Sequence, residues 1–368
     1  MVKRLKRLIF QPLSCLLVLI FALSACADYT NPTASAPSVV QPNPNPAPVQ
    51  VIQGTPAGRP VSQSLKPTAG TGTGANIPPT SNGAKPARPG QPTPVPVLDS
   101  TQAAQEGLDS NPGFYEFPYA DSQFYVHMPP APQANHALQI VMAIHGMGNN
   151  GLAFGQPLIS YADEYGFVLV APTMKYDPNY VDPGKVMVND EELLPELHSL
   201  VQALPGIIGY PVNPQVMLFG FSRGAQIVHR FALFYPEQVK AVALMSAGSY
   251  TLPYQSFKSG NGGSDTALRF PYGISDLAKI TGHNFDLQTF RKVPFWIGVG
   301  GADNATKDVP AAWNPYLGQT RVERATRFYQ ALQKSGINAT FNIFPGIGHA
   351  VCPDMKKDSF AFFDKILG

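Results

Sequence analysis

A serine becomes a useful nucleophile near neutral pH when a base takes its proton and a third group holds that base. The chain offers a serine, a histidine and an aspartate in related settings. Ser222 is the centre of Gly220-Phe221-Ser222-Arg223-Gly224. Apolar residues 216–219 lead into it as a buried strand. The spacing of Ile227, Val228 and Phe231 predicts a helix leading out. Strand, G-x-S-x-G and helix together are the context of a nucleophile elbow. Such a turn holds its serine in a strained conformation that lifts Oγ above the sheet edge, and flanking glycines keep Cβ atoms out of the crossing. A helix starting at the serine also aims free N–H groups and its positive dipole end at any oxyanion formed there.

The base and the acid come later in the chain. Residues 344–349, Phe-Pro-Gly-Ile-Gly-His, read as a strand end and a loop closing on His349. Residues 296–303 read as a strand and a glycine loop closing on Asp303. In a parallel sheet all strand C-termini share one edge, so the three residues converge. His349 would then take the Ser222 proton, and Asp303 would hold the imidazole in the right tautomer. Asp308 lies in the same loop and is the alternative acid. His229, within the elbow helix, reads as a helix-face residue.

The elements that must position these groups alternate. Strands are expected at 114–119, 123–128, 138–144, 167–171, 216–219, 239–245, 294–298 and 339–344. Helices are expected at 151–165, 190–203, 320–334 and 354–367, with Pro195 marking a first turn or a kink. Apolar strands alternating with amphipathic helices predict an α/β class: a mostly parallel central sheet with helices on both faces.

The chain has 368 residues, and its 38 prolines and 33 glycines are unevenly spread. Residues 1–25 read as an export signal, with Lys3, Arg4, Lys6 and Arg7 ahead of an apolar run too short for a permanent span. The run ends in Leu23-Ser24-Ala25-Cys26, which resembles the bacterial lipoprotein signal. That resemblance implies acylation of Cys26 and anchoring to an envelope membrane, the outer one where the host has two, since Ala27 rather than aspartate follows. Residues 26–111 are rich in Pro, Ala, Gly, Thr and Asn, which predicts a disordered linker. The catalytic domain is expected over 112–368. Losing residues 1–25 takes four of the 26 Lys and Arg and none of the 24 acids, leaving a net charge of −2. Such a balance argues against nucleic acid as a partner. Cys352 is the one cysteine left besides Cys15 and Cys26, so no disulfide is expected within one mature chain. No H-E-x-x-H or paired-cysteine spacing points to a metal, and Gly72 and Gly74 lack the strand and helix of a phosphate loop. No cofactor is expected.

From about residue 123 to the end, the chain resembles the α/β-hydrolase superfamily, nearest its esterase and polyhydroxybutyrate-depolymerase group. The resemblance rests on His145-Gly146-Met147-Gly148, the stretch 166–172, the elbow, Pro345-Gly346-Ile347-Gly348-His349 and the helix start at 318–325. It implies the chain order serine, acid, histidine, and an oxyanion hole made by the backbone N–H groups of Met147 and Arg223. It also implies that His145 orients the oxyanion loop, and that residues 249–292 form an insert overhanging the serine. Aromatic residues of that insert (Tyr250, Tyr254, Phe257, Phe270, Tyr272, Phe285, Phe290), with Trp313 and Tyr316, either line an apolar pocket or pack the insert down. The chain departs from secreted polymer depolymerases in showing no separate substrate-binding domain. The function expected is a lipid-anchored serine hydrolase acting on small or polymeric carboxylic esters. The alternatives are a peptidase of the same fold and a retired hydrolase domain serving as an envelope binding lipoprotein.

Overall fold

Alternation of large apolar side chains decides the two faces of the central sheet. In strand β3 (Ile140–Ile144), Ile140, Met142 and Ile144 face one core while Val141 and Ala143 face the other. Strands β4 (Val168–Pro172) and β5 (Val216–Phe221) divide in the same way. A strand buried on both faces has to be apolar at every position, which is why these segments read as continuous runs.

A computed structural model describes residues 113–130, 132, 136–258 and 264–368. The export signal at 1–25, the acylation of Cys26 and the linker at 26–111 lie outside the described residues. The described sheet has eight strands in the order β1 (Tyr115–Tyr119), β2 (Ser122–His127), β4, β3, β5, β6 (Val239–Met245), β9 (Phe295–Gly300) and β10 (Ala339–Phe344), while β7 (Ser256–Lys258) and β8 (Asp265–Ala267) pair antiparallel in a sheet of their own. Strands β1 and β2 form an antiparallel hairpin, and β2 joins β4 antiparallel. Strands β3, β4, β5, β6, β9 and β10 run parallel. The ends of β3, β5, β9 and β10 therefore present the 145–148, 222, 303 and 349 segments at one edge.

Helices α1 (Gly151–Gly155), α2 (Ile159–Tyr165) and α6 (Pro353–Leu367) cover one face through Phe154, Ala162, Met355, Phe360 and Phe363. Helices α3 (Pro183–Ile208), α4 (Arg223–Phe234) and α5 (Arg321–Lys334) cover the other. Two helices differ from the periodicity. The segment expected as one helix at 151–165 breaks into α1, a 3₁₀ turn at Gln156–Leu158 and α2, because Pro157 has no N–H to continue the ladder. The helix expected at 190–203 runs for 26 residues with Pro195 and Pro205 inside. Asp182 caps its start, accepting from the N–H of Gly184 at 2.7 Å, and Pro183 occupies the first turn, where a missing N–H costs nothing. Burial of Leu193, Leu194, Leu197, Leu200, Val201 and Leu204 offsets the hydrogen bonds that the inner prolines forgo.

Candidate active site

Ser222 sits between β5 and α4 with φ 55° and ψ −113°, in the left-handed region that a residue with a Cβ rarely adopts. Close packing on both sides holds it there. A Cβ on Gly220 would meet the Gly224 carbonyl oxygen at 2.7 Å, and one on Gly224 would overlap the Ile144 carbonyl and meet that of His145 at 2.5 Å. The Ser222 N–H donates to the Met245 carbonyl at 2.9 Å, which ties the turn to β6. Its hydroxyl caps no helical N–H, although serine at this position commonly does so. It faces His349 instead: Nε2 lies 2.9 Å from Ser222 Oγ.

His349 Nδ1 lies 2.8 Å from Asp303 Oδ2, so the imidazole is held between a hydroxyl and a carboxylate. The Asp303 side chain is 1% exposed and that of His349 30%, so the chain of groups runs from the interior out to solvent. The Phe221 ring packs on the imidazole with centroids 4.8 Å apart. The arrangement can pass the Ser222 proton to Nε2 while Asp303 holds the Nδ1 proton.

The rival carboxylate, Asp308, does not meet the histidine. Arg321 lies between the two acids, with Nη1 donating to Asp303 Oδ1 at 3.2 Å and Nη2 to Asp308 Oδ2 at 3.1 Å. Burial would raise the Asp308 pKa, but the hydrogen bond and charge of Arg321 outweigh it and hold the carboxyl below its ordinary value. Sequence reasoning missed Arg321. The signal was the helix start at 318–325, where Thr320 and Glu323 form a capping box that fixes the first turn of α5 and thus this side chain.

The segment expected to supply an oxyanion donor packs on the serine. A Cβ on Gly146 would stand 3.1 Å from Ser222 Cβ, and Gly148 takes φ +74°. The N–H of Arg223 is in the first turn of α4, where no carbonyl of the helix can accept it. His145 has both ring nitrogens engaged: Nδ1 donates to the Gly146 carbonyl at 2.7 Å, and Nε2 accepts from the Met174 N–H at 2.9 Å. Burial also pushes its pKa below the ordinary value. It therefore braces the loop and has no nitrogen free to move a substrate proton.

No family model matches the chain. Over 163 residues it is 26% identical to Protein NDRG2 of Homo sapiens, covering 44% of this chain and 43% of that one. The Mus musculus NDRG2 matches to the same extent, so the chain spans less than half the length of these curated relatives. Among solved structures, poly(aspartic acid) hydrolase-1 from Sphingomonas sp. KT-1 aligns with a TM-score of 0.51 at 19% identity, over 69% of this chain and 98% of that one. Est1E from Butyrivibrio proteoclasticus aligns at a TM-score of 0.43 and 14% identity, over 69% and 99%. The chain has the α/β-hydrolase fold.

Within this α/β-hydrolase fold, His229 is fully buried. Its Nδ1 donates to the Ala225 carbonyl at 2.8 Å and Nε2 accepts from the Thr251 N–H at 2.9 Å. Burial, then the neighbouring Arg230 charge, hold its pKa well below the ordinary value. It pins the start of the insert to α4. Beneath the elbow, Asp190 of α3 accepts from Arg223 at one oxygen and from Arg230 Nη1, at 2.5 Å, at the other. Burial lowers the Arg230 pKa to about 10 despite that carboxylate. The Arg223 guanidinium also lies 5.2 Å from the Tyr176 ring centre, and Tyr176 Oη donates to the His145 carbonyl at 2.8 Å. The elbow and the 145–148 turn are thus braced against each other.

Of the insert's aromatic residues, Tyr250, Phe270 and Phe290 are buried in the core, as is Trp313, which donates from Nε1 to the Tyr250 carbonyl at 3.0 Å. These pack the insert down. Phe257, Tyr272 and Tyr316 stay half-buried, with the Tyr316 ring meeting Phe257 edge-on and Tyr272 at a tilt. Among the described residues, no cluster of three or more His, Cys, Asp or Glu is placed to hold a metal. Among them too, no helix is long and apolar enough to cross a membrane.

Proposed function

We propose that this chain is a serine hydrolase that cleaves carboxylic esters through an acyl-enzyme on Ser222, and that an acylated Cys26 holds it to the bacterial envelope. The observation that carries the reading is the continuous contact from Ser222 Oγ to His349 (2.9 Å) to Asp303 (2.8 Å) at the edge where the parallel strands end. In the reaction, Ser222 Oγ bonds to the ester carbonyl carbon as His349 Nε2 takes its proton. The carbonyl oxygen becomes an oxyanion, received by the N–H groups of Met147 and Arg223. Collapse breaks the carbon–alkoxide bond, and the imidazolium returns the proton to the departing alcohol. A water molecule, deprotonated by the same imidazole, then releases the acid and restores Ser222.

Amide hydrolysis is the second reading, favoured by the name of the aligned poly(aspartic acid) hydrolase. A fluorophosphonate probe decides whether the serine is reactive, and labelling should vanish in Ser222→Ala. A panel of p-nitrophenyl esters, aminoacyl amides and poly(aspartic acid) then separates the bond types. Turnover of amides alone would replace the ester reading, and no labelling would leave a binding lipoprotein. Anchoring is tested by fractionation: the Cys26→Ala chain should leave the membrane fraction.

A further inference from the structure

Arg321 and Arg324 stand one turn apart at the start of α5, where the helix dipole favours acids over cations. Both side chains are buried. Burial, and then the Arg321 charge, lower the Arg324 pKa to about 10. Two buried guanidinium groups side by side at a helix start are a local choice that folding alone disfavours, and such departures gather at functional sites. Their partners differ. Arg324 donates to neutral oxygens: the carbonyls of Gly248, Gly318 (3.0 Å) and Pro310 (2.9 Å), and Asn314 Oδ1 (2.7 Å). It ties loops together. Arg321 meets carboxylates instead and divides its fork between them. Nη1 donates to Asp303 Oδ1 at 3.2 Å, and Nη2 to Asp308, at the carbonyl (3.2 Å) and at Oδ2 (3.1 Å).

A guanidinium closed on one carboxylate in bidentate fashion occupies both oxygens. Here it takes one, and Oδ2 of Asp303 is left for His349 Nδ1 at 2.8 Å. Among the described residues nothing else hydrogen-bonds the Asp303 carboxylate. The two contacts to Asp308 fix where the guanidinium stands, and the guanidinium fixes which way the Asp303 carboxylate turns. We propose that Arg321 is a positioning residue of the Ser222 site: it holds Asp303 in the rotamer that presents Oδ2 to the imidazole, and it acts on the reaction through Asp303 alone. This rests on the serine-hydrolase reading above. Without Arg321 the carboxylate keeps one partner and turns away from the imidazole for part of the time, so His349 meets Ser222 Oγ in the right tautomer less often. Binding of an ester in the ground state does not use Asp303, so the loss falls on kcat.

The test is a double-mutant cycle on the full chain with p-nitrophenyl acetate. It compares Arg321→Gln, Asp303→Asn and the pair, subtracts the Ser222→Ala rate as background, and checks folding by thermal midpoints. Arg321→Gln should lower kcat on the order of 100-fold, the scale for misplacing a catalytic group by about 1 Å, and change KM by less than about threefold. In the Asp303→Asn background the same substitution should change kcat by less than about threefold, because the carboxylate it steers is gone. Where the glutamine variant does not fold, Arg321→Lys takes its place: it keeps the charge and loses the fork, and should show the same dependence on Asp303 with a loss of about tenfold. A kcat loss that persists in the Asp303→Asn background would make Arg321 a support of the fold. A rise in KM in place of the fall in kcat would put it against the substrate, and unchanged kcat in the folded variant would leave Asp303 held without it. Each of these overturns the proposal. Fluorophosphonate labelling of Ser222 separates the failures: with labelling intact these outcomes remove only the role of Arg321, and without labelling or turnover the hydrolase reading falls and takes that role with it.

Discussion

Two charged clusters flank Ser222 and His349, and they are electrical opposites. Under the elbow, one carboxylate, Asp190, lies between two guanidinium groups, Arg223 and Arg230. Behind the imidazole, one guanidinium, Arg321, lies between two carboxylates, Asp303 and Asp308. Formal charges leave the first cluster at +1 and the second at −1. In the proposed reaction an oxyanion forms at the first turn of α4, over the positive cluster. An imidazolium forms against Asp303, in the negative one. Fixed charges of the right sign, in place before reaction, stabilise such a charge-separated state without reorganising. The clusters also differ in what they leave free. Both Asp190 oxygens are taken by arginine, whereas Asp303 gives one oxygen to Arg321 and keeps the other for His349.

The comparison fails at once if the groups between the clusters do no chemistry. Ser222→Ala or His349→Ala should lower kcat by a factor on the order of 10⁴ or more, with KM much less affected. Steady-state assays on p-nitrophenyl esters read this directly. Comparable kcat in Ser222→Ala would place the chemistry elsewhere and end the assignment of Ser222 as nucleophile.

Within the negative cluster the two acids should separate. Asp303→Asn should cost about 10³–10⁴-fold in kcat, because the amide favours the wrong imidazole tautomer. Asp308→Asn should cost little, since its side chain is 43% exposed and, among the described residues, hydrogen-bonds to Arg321 and not to His349. The reverse ranking, or equal losses, would mean that the cluster acts through its total charge rather than through the oxygen facing His349.

The positive cluster should show itself in stability. Asp190→Asn leaves two buried guanidinium groups without a counter-charge, and removing one partner of such a group costs about 3–5 kcal/mol. Urea unfolding should show that loss as a lower midpoint with an unchanged m-value. A loss below about 1 kcal/mol would place the cluster in effective contact with solvent.

How far the chain's letters disclose this arrangement depends on range. Ser222, Asp303 and His349 were legible because each carries a local signal, a strand running into a glycine-containing loop. The strands of the two-faced sheet were legible as continuous apolar runs for the same reason. The choice between Asp303 and Asp308 was not, because Arg321 makes it from a helix that begins 18 residues after Asp303. Asp190 opens the segment expected as a helix at 190–203. In the fold that helix begins at Pro183, and Asp190 is turned inward to residues 33 and 40 positions away. Neither contact has a sequence period, so no pattern announces it. The insert's aromatic residues were ambiguous because a side chain that packs and one that lines a pocket share the same composition.

The two bracing histidines supply the gentlest test of how the clusters are held. His145 steadies the turn beside Ser222, and His229 ties α4 to the start of the insert, which carries Ser249 and Thr251, both hydrogen-bonded to Arg230. Burial keeps both imidazoles below their ordinary value, so as pH falls the unfolded chain takes up these protons before the folded one does. Stability is then fully present above about pH 6.5 and falls below it by about 1.4 kcal/mol per pH unit for each histidine, until the folded value is reached. Urea midpoints between pH 8 and pH 5 should be flat at first and then decline. In His229→Gln an amide can still donate to the Ala225 carbonyl and accept from Thr251, while it cannot titrate, so the decline should lose about half its slope. A midpoint that stays level down to pH 5, or a slope unchanged in His229→Gln, would show that these imidazoles take up protons in the folded state, and that the bracing of both clusters tolerates their charge.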